Sequence, residues 1–225
     1  MVASDWGQSL SKPFKVFGIG FNRTGTSSLR IALRKLGYRT AVKNAPFMKL
    51  YKRGKIGRLM AATHEWDAFR DWPWPMLYRQ ALETHGEDAR FVLTRRASAS
   101  AWIESLKRHS EVTNPDRHQR TLMLGYDYPH GYESEHAALY ENHLIDVRRF
   151  FGERGKAHLL CELCWDEGQG WPELCSFLRE PVPDAGFPWA NTSRDARGDP
   201  EFIARNRAKI ARQVATADAC ANLAP

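Results

Sequence analysis

The feature that most constrains the fold of this 225-residue chain is a glycine-containing loop near its N-terminus. Residues 20–27 read GFNRTGTS, and they stand between the apolar run of residues 15–20 and the helical pattern of residues 26–36. Glycines let a backbone wrap closely around an anion, and the free N–H groups at the start of a helix then point at that anion. This context predicts a phosphate-binding loop in preference to a strand–helix turn that binds nothing.

The loop differs from the nucleotide-triphosphatase pattern GxxxxGK(S/T) at one place, where Thr26 stands instead of the lysine. No aspartate ends the apolar run of residues 90–94 either. Kinases use this lysine and this aspartate to bind the γ-phosphate and magnesium. In this chain a cation is instead supplied from inside the loop, by Arg23. The pattern therefore disfavours an ATP-dependent small-molecule kinase, and we expect no bound metal.

Short apolar runs alternate with longer helical patterns along the whole chain. Strands are predicted at residues 15–20, 38–42, 67–70, 90–94 and 158–161. Helices are predicted at residues 26–36, 46–63, 98–110, 133–151, 171–179 and 201–216, with one more opened by Pro73 and Pro75. This alternation predicts an α/β fold with three αβα layers around a central parallel sheet, as in P-loop proteins. Ligands then bind at the carboxyl ends of the strands.

The length favours one domain over residues 1–225, with a loose segment at residues 1–14 and a long loop at residues 181–200. The formal charge of +7 comes from scattered basic residues that match no nucleic-acid motif, so no nucleic-acid partner is expected. No apolar run approaches the roughly 18 residues of a membrane span, and the N-terminus lacks a signal-peptide core. We therefore expect a cytoplasmic protein.

Four cysteines in a chain of this length do not indicate a disulfide framework. Two of them, Cys161 and Cys164, have the CxxC spacing, but no second CxxC accompanies them. Because Cys161 ends an apolar run, buried structural thiols are the preferred interpretation over a metal or redox site.

Residues 18–29, GIGFNRTGTSSL, resemble the 5′-phosphosulfate loop of sulfotransferases, and most closely a largely bacterial branch with an arginine in the loop. The resemblance implies transfer of a sulfuryl group from 3′-phosphoadenosine-5′-phosphosulfate (PAPS) to a hydroxyl or amine of a small-molecule acceptor. It also implies that the loop binds the donor through Asn22, Arg23, Thr24, Gly25, Thr26, Ser27 and Ser28. In the cytosolic branch a tryptophan that stacks on adenine stands at the position of Ser28, so the adenine contact here must come from elsewhere.

Sulfotransferases carry a second signature, an arginine at the end of a strand and a serine on the next helix, which together hold the donor's 3′-phosphate. In this chain Arg96 and Ser105 match it best, although Arg95 is an alternative because the separation is one residue longer than in the cytosolic branch. An arginine suits this role because its planar fork binds phosphate oxygens in pairs. The resemblance extends over most of residues 15–191.

Asp71 is the candidate for the base that accepts the acceptor's proton, with Asp67 and His64 as lesser candidates. In the cytosolic branch a histidine base is followed by one residue and a proline, and Asp71-Trp72-Pro73 has this arrangement with aspartate for histidine. The alternative is that Asp71 caps the N-terminus of the following helix. Two catalytic roles are thus expected: Asp71 would accept the proton, and Arg23 would stabilise the charge on the leaving phosphate.

Trp72 and Trp74 would form a low-dielectric wall that raises the affinity of Asp71 for protons. Together with Trp66 they would also line an apolar acceptor pocket. The sequence leaves open whether the acceptor is a phenol, a sugar, an amine or a lipid alcohol, and it leaves the oligomeric state open. A small-molecule kinase and a catalytically inert nucleotide-binding module are the alternative functions.

Overall fold

A computed structural model describes residues 12–41, 44–190 and 199–221 of the chain. Three parts of the predicted features lie outside the described residues: residues 1–11 of the N-terminal segment, Val42 of the predicted second strand, and residues 191–198 of the long loop. Within the described part, Lys12 forms an ion pair with Glu180 at 2.8 Å. No helix there combines the length and the apolar character that a membrane crossing requires.

A parallel sheet of four strands forms the centre of the described chain. Its strands are β1 (Lys15–Gly18), β2 (Ala68–Phe69), β3 (Ala89–Arg95) and β4 (Leu160–Cys164), in the order β2-β1-β3-β4. The chain places β2 on one side of β1 and β3 on the other. This reversal is a topological switch point, and ligands of α/β sheets bind at such a point, outside the carboxyl ends of the strands.

Helices cover both faces of the sheet. They are α1 (Thr26–Lys35), α2 (Ala45–Lys52), α3 (Ile56–Ala61), α4 (Trp74–His85), α5 (Ala99–Glu111), α6 (Arg120–Leu124), α7 (Glu133–Glu153), α8 (Trp171–Leu178) and α9 (Pro200–Ala221). Buried residues of α1 and α8 pack together on one face, and buried residues of α4, α5 and α7 pack together on the other. The predicted three-layer αβα architecture is confirmed.

Alternating side chains of the strands divide the core into two halves. Val16 and Val92 point towards α1 and α8, whereas their chain neighbours Phe17 and Phe91 point towards the opposite layer. The ring centroid of Phe17 is 4.9 Å from that of Phe69 and 5.6 Å from that of Phe91. This row of aromatic rings across three neighbouring strands holds the sheet against the layer that contains α4 and α7.

Two predicted elements differ from the structure. Residues 38–41 do not form a strand: Thr40 makes a single parallel bridge to Ala68. The predicted helix at residues 46–63 is broken into α2 and α3, with Gly54 in the left-handed region at φ 64°. Only glycine adopts this conformation routinely, so the break is encoded locally. The short helix α6 was not predicted.

Candidate active site

The glycine loop is fixed between β3, α5 and the turn after β4. The Thr24 hydroxyl donates to the Phe21 carbonyl at 2.6 Å and also pairs with the Thr94 hydroxyl of β3 at 2.6 Å. The Trp102 indole N–H of α5 donates to the Asn22 carbonyl at 2.9 Å. Thr24 is therefore fully buried and holds the loop in place, so its side chain lines neither of the two cavities described below.

Position 25 requires a glycine because of its backbone conformation and because the Trp165 ring lies against it. Gly25 has φ 92° immediately before α1, and a Cβ atom placed on it would lie 2.1 Å from the Trp165 ring. Close approach of an indole to the backbone at a helix N-terminus is possible only because this position lacks a side chain. The loop thus has the backbone arrangement expected of an anion cradle.

A first cavity of about 300 Å³ opens where β1, β3 and β4 end. Its described lining consists of Arg23, Gly25, Thr26, Ser27, Ser28, Arg96, Ser105, Arg108, Trp165, Asp166, Trp189 and Ala190. Arg23 Nε donates to Ser105 Oγ at 3.3 Å, which joins the loop to α5. The two sequence signatures, 73 residues apart at Arg23 and Arg96, therefore meet in one cavity.

The neighbouring arginines at the end of β3 have different surroundings. Arg95 forms a bidentate ion pair with Glu167, with both N–O distances 2.8 Å, and a further pair with Glu162. Its side chain lines neither cavity. Arg96 lines the first cavity and pairs with Asp166 at 3.0 Å, while its Nε is buried without a hydrogen-bond partner in the described chain.

Aromatic side chains form another wall of the first cavity. Trp165 follows β4 and Trp189 comes from the long loop; the Phe187 ring centroid lies 4.6 Å from that of Trp165 and 5.9 Å from that of Trp189. Ser28 Oγ accepts a hydrogen bond from the Ala190 backbone at 3.0 Å, which ties this loop to α1. No local sequence pattern connects these aromatics to the glycine loop, so the sequence assigned them no role at the site.

A second cavity of about 380 Å³ lies on the other side of Arg23. Its described lining consists of Asn22, Arg23, Thr26, Ser27, Asn44, Ala45, Met48, Arg70, Asp71, Trp72, His109, Arg117, His118 and Gln119. It shares Arg23, Thr26 and Ser27 with the first cavity, so the two cavities meet at the glycine loop. Among the described residues with positive φ that are not glycine, three of four line the second cavity: Arg23, Asp71 and Gln119.

Asp71 follows β2 and points into the second cavity, where its carboxylate forms an ion pair with Arg70. The prediction that it caps the next helix is wrong. Helix α4 begins at Trp74 without a side-chain cap, and the Trp74 N–H donates to the Asp71 backbone carbonyl at 3.0 Å. The carboxylate is thus available to the cavity apart from its contact with Arg70.

The other base candidates lie away from both cavities. Asp67 precedes β2 and accepts hydrogen bonds from Arg39 Nε at 3.0 Å and Nη2 at 3.1 Å. Burial alone would raise the pKa of Asp67, but these contacts lower it below the ordinary value. His64 packs against His85, with ring centroids 5.2 Å apart.

Of the three clustered tryptophans, only Trp72 lines the second cavity. Trp74 is fully buried against Phe69 and Phe47, with ring centroids 4.5 and 5.2 Å away. Trp66 packs against the same core. The predicted low-dielectric wall is therefore wrong for Trp74, and the predicted pocket lining is wrong for Trp66 and Trp74. The helical spacing after Pro73 directs Trp74 inwards.

His109 and His118 are additional residues of the second cavity, and their rings stand edge to face at 4.6 Å. Burial, followed by the charge of Arg23, lowers the pKa of His109 to about 3, and burial also lowers the pKa of His118. Both imidazoles are therefore neutral at pH 7. Thr113 Oγ1 donates to the His109 carbonyl at 2.6 Å and lies 3.4 Å from His109 Nδ1.

The described cysteines carry no sign of metal or redox chemistry. Cys161 and Cys164 are free thiols, and burial raises the pKa of Cys161 to about 11. Over the part of the chain that the structure covers, no three histidine, cysteine, aspartate or glutamate side chains cluster as metal ligands would. Cys164 is buried as predicted, whereas Cys161 is only partly buried.

Comparison with known proteins identifies the family to which the chain belongs. The sequence model of a family described as "Sulfotransferase domain" matches residues 15–130 and 118–196. A relative from Aspergillus versicolor, "Ava biosynthesis cluster protein M", is 28% identical over 219 residues, which cover 80% of this chain and 81% of the relative. Because the family match covers both cavities and most of the chain, the protein belongs to the sulfotransferase domain family.

Proposed function

We propose that this protein transfers a sulfuryl group from PAPS to a small-molecule acceptor. Family membership supports sulfotransferase activity in general. The observation that carries the assignment of two substrates is the meeting of two cavities at Arg23, Thr26 and Ser27. A donor in one cavity and an acceptor in the other would then have their reacting groups on opposite sides of the same loop.

The first cavity fits the donor. Arg96 Nε and Trp165 Nε1 are buried donors without a hydrogen-bond partner in the described chain, and such atoms are costly unless a ligand pairs with them. We assign the 5′-phosphosulfate to loop residues 22–28, and the 3′-phosphate to Arg96 and Ser105. Trp165 and Trp189 are the groups on which adenine would stack, since Ser28 offers no ring.

When bound, PAPS supplies the sulfuryl group, and the chain supplies the charges and the proton acceptor. Arg23 and the N–H groups at the start of α1 stabilise the charge that develops on the leaving phosphate. Asp71 accepts the proton of the acceptor's hydroxyl or amine. Both residues hold left-handed backbone conformations, at φ 69° and 59°. Backbone strain of this kind concentrates at functional sites.

The second cavity supports a small acceptor. Its volume of about 380 Å³ and its mixed lining, in which polar side chains stand beside the apolar surfaces of Trp72 and Met48, suit a compact molecule with a hydroxyl or amine. The name of the Aspergillus relative places that protein in a biosynthesis cluster, which supports a small-molecule acceptor for this chain too.

Incubation with [³⁵S]PAPS and a panel of phenols, sugars, amines and lipid alcohols tests this function. We expect label transfer and release of adenosine 3′,5′-bisphosphate with at least one class, unchanged by EDTA. The motivation for metal independence is Thr26 in place of the loop lysine and Arg95 at the end of β3 in place of an aspartate. Magnesium-dependent transfer from ATP would instead favour the kinase, and tight binding of the bisphosphate without any transfer would favour an inert module.

A further inference from the structure

One carboxylate of the first cavity lies where an anionic ligand would bind. Asp166 Oδ1 is 3.0 Å from Arg96 Nη1, and Oδ2 accepts a hydrogen bond from the Ala97 backbone N–H at 3.2 Å. A guanidinium and a backbone N–H just before a helix are the kinds of group that bind phosphate oxygens. The Asp166 carboxylate therefore occupies part of the anion site formed by the end of β3 and the start of α5.

Asp166 is an acidic residue in a cavity that several arginines line. Among the described lining residues it is the only acid, against Arg23, Arg96 and Arg108. The side chains of Asp166 and Arg96 are 31% and 26% exposed, so their ion pair is partly shielded from water. Its neighbour Glu167 pairs with Arg95 in the same manner but does not line the cavity.

Resting on the function proposed above, we propose that Asp166 competes with the donor's 3′-phosphate for Arg96. An incoming 3′-phosphate must displace the carboxylate from the guanidinium or bind beside it, and either event costs free energy because the two anions repel. Asp166 therefore lowers the affinity for nucleotides that carry a 3′-phosphate, including the product adenosine 3′,5′-bisphosphate. It does not affect adenosine 5′-phosphate, which has no group at this position. In this way Asp166 keeps Arg96 paired before the donor binds and favours product release.

Calorimetric titration of the full chain with the two nucleotides measures this effect directly. Asp166→Asn keeps the size of the side chain and removes its charge. We expect adenosine 3′,5′-bisphosphate to bind about tenfold more tightly to this variant, while adenosine 5′-phosphate binds as it does to the wild type. Glu167→Gln is the matched control, because it removes the adjacent acid from the adjacent arginine, and it should change neither affinity. Asp166→Ala should likewise bind the bisphosphate more tightly than the wild type does.

Three results would overturn the inference: weaker binding of the bisphosphate to Asp166→Asn, unchanged binding, or an equal change for both nucleotides. The first of these would mean that Asp166 orients Arg96 for the phosphate. If the donor assignment is wrong, the measurement gives a different result. The wild-type chain then binds the bisphosphate no more tightly than adenosine 5′-phosphate. In that case the role of Asp166 fails together with the proposed function.

Discussion

Arg23 is one of the three residues that both cavities share, and its surroundings explain how one side chain serves two sites. Its backbone is left-handed at φ 69°, and its Nε donates to Ser105. Burial, followed by the charges of Arg96 and Arg108, lowers its pKa from the ordinary value, yet a guanidinium stays protonated in proteins. A left-handed non-glycine residue costs about 1–3 kcal/mol, which is tolerated where the position of a charge matters.

Asp71→Asn tests the assignment of the proton acceptor. We expect turnover to fall by about 10²–10⁴, the usual contribution of a general base. Binding of adenosine 3′,5′-bisphosphate should not change, because Asp71 lines only the second cavity. Steady-state kinetics and calorimetry on the same preparation separate the two effects.

Asp67→Asn is the control for Asp71→Asn, since Asp67 pairs with Arg39 away from both cavities. It should lower the stability of the protein but leave turnover close to the wild-type value. Near-normal turnover of Asp71→Asn across the pH range would exclude Asp71 as the base.

At the scale of elements, Arg117, His118 and Gln119 line the second cavity, and Arg120 of α6 holds together the segment of residues 113–128 to which they belong. The Arg120 side chain is 1% exposed, and it donates to the Thr113 carbonyl at 3.0 Å and to the Asp127 carbonyl at 2.6 Å. The cavity residues His118 and Gln119 directly precede it. The geometry of this part of the cavity lining therefore depends on one buried guanidinium.

Arg120→Met should destabilise the fold. Each backbone carbonyl that loses its partner costs about 1–3 kcal/mol when it stays buried, and urea denaturation measures the sum. Arg205→Met in α9 is the control, because among the described residues Arg205 makes only an exposed ion pair, with Glu201 at 3.5 Å. Such pairs contribute about 0–1 kcal/mol. Equal stabilities of the two variants would show that Arg120 does not hold the segment.

The sequence predicted those helices and strands that a local pattern of residues indicates. β1, β3, α1, α5 and α7 were predicted because each has an apolar run or a helical period with a clear start, such as Ser98, whose Oγ accepts from the Ala101 N–H at 3.1 Å. The glycine loop was predicted from its position between a strand and a helix, whereas Arg96, with Arg95 as the alternative, was proposed from the resemblance to the second sulfotransferase signature. Contacts between distant segments were not predictable: Trp165 reaches Gly25 across 140 residues, and α6 depends on the burial of Arg120.

At the scale of the whole molecule, buried neutral histidines link stability to pH. Burial lowers the pKa of His85 and of His143 to about 4, and His143 also has a hydrogen bond from Nε2 to the Ile19 carbonyl at 2.8 Å. Unfolded histidine has a pKa of about 6.5, so below that pH the unfolded chain binds more protons than the native one. Stability should therefore fall as the pH decreases from about 6.5 towards 4.

Urea denaturation at several pH values measures this linkage. For His143 the expected slope is at most about 1.4 kcal/mol per pH unit, and His143→Gln, which keeps a donor but does not titrate, should reduce the slope. The exposed His158, which pairs with Glu87 at 2.8 Å, is the control position, and His158→Gln should not reduce it. Stability that rises on acidification over this interval would contradict the burial of neutral imidazoles.

Recognition of the donor's 3′-phosphate by Arg96 is the central claim, and comparing two nucleotides on two variants tests it most directly. The affinities of adenosine 3′,5′-bisphosphate and adenosine 5′-phosphate are measured by calorimetry for the wild type, Arg96→Ala and Arg95→Ala. We expect Arg96→Ala to weaken the bisphosphate by about 10–100-fold and adenosine 5′-phosphate little, since one charge-assisted phosphate contact is lost. Arg95→Ala should keep the wild-type ratio, because Arg95 pairs with Glu162 and Glu167 outside the cavity. Equal weakening of both nucleotides by Arg96→Ala, or loss of the ratio in Arg95→Ala alone, would contradict the claim.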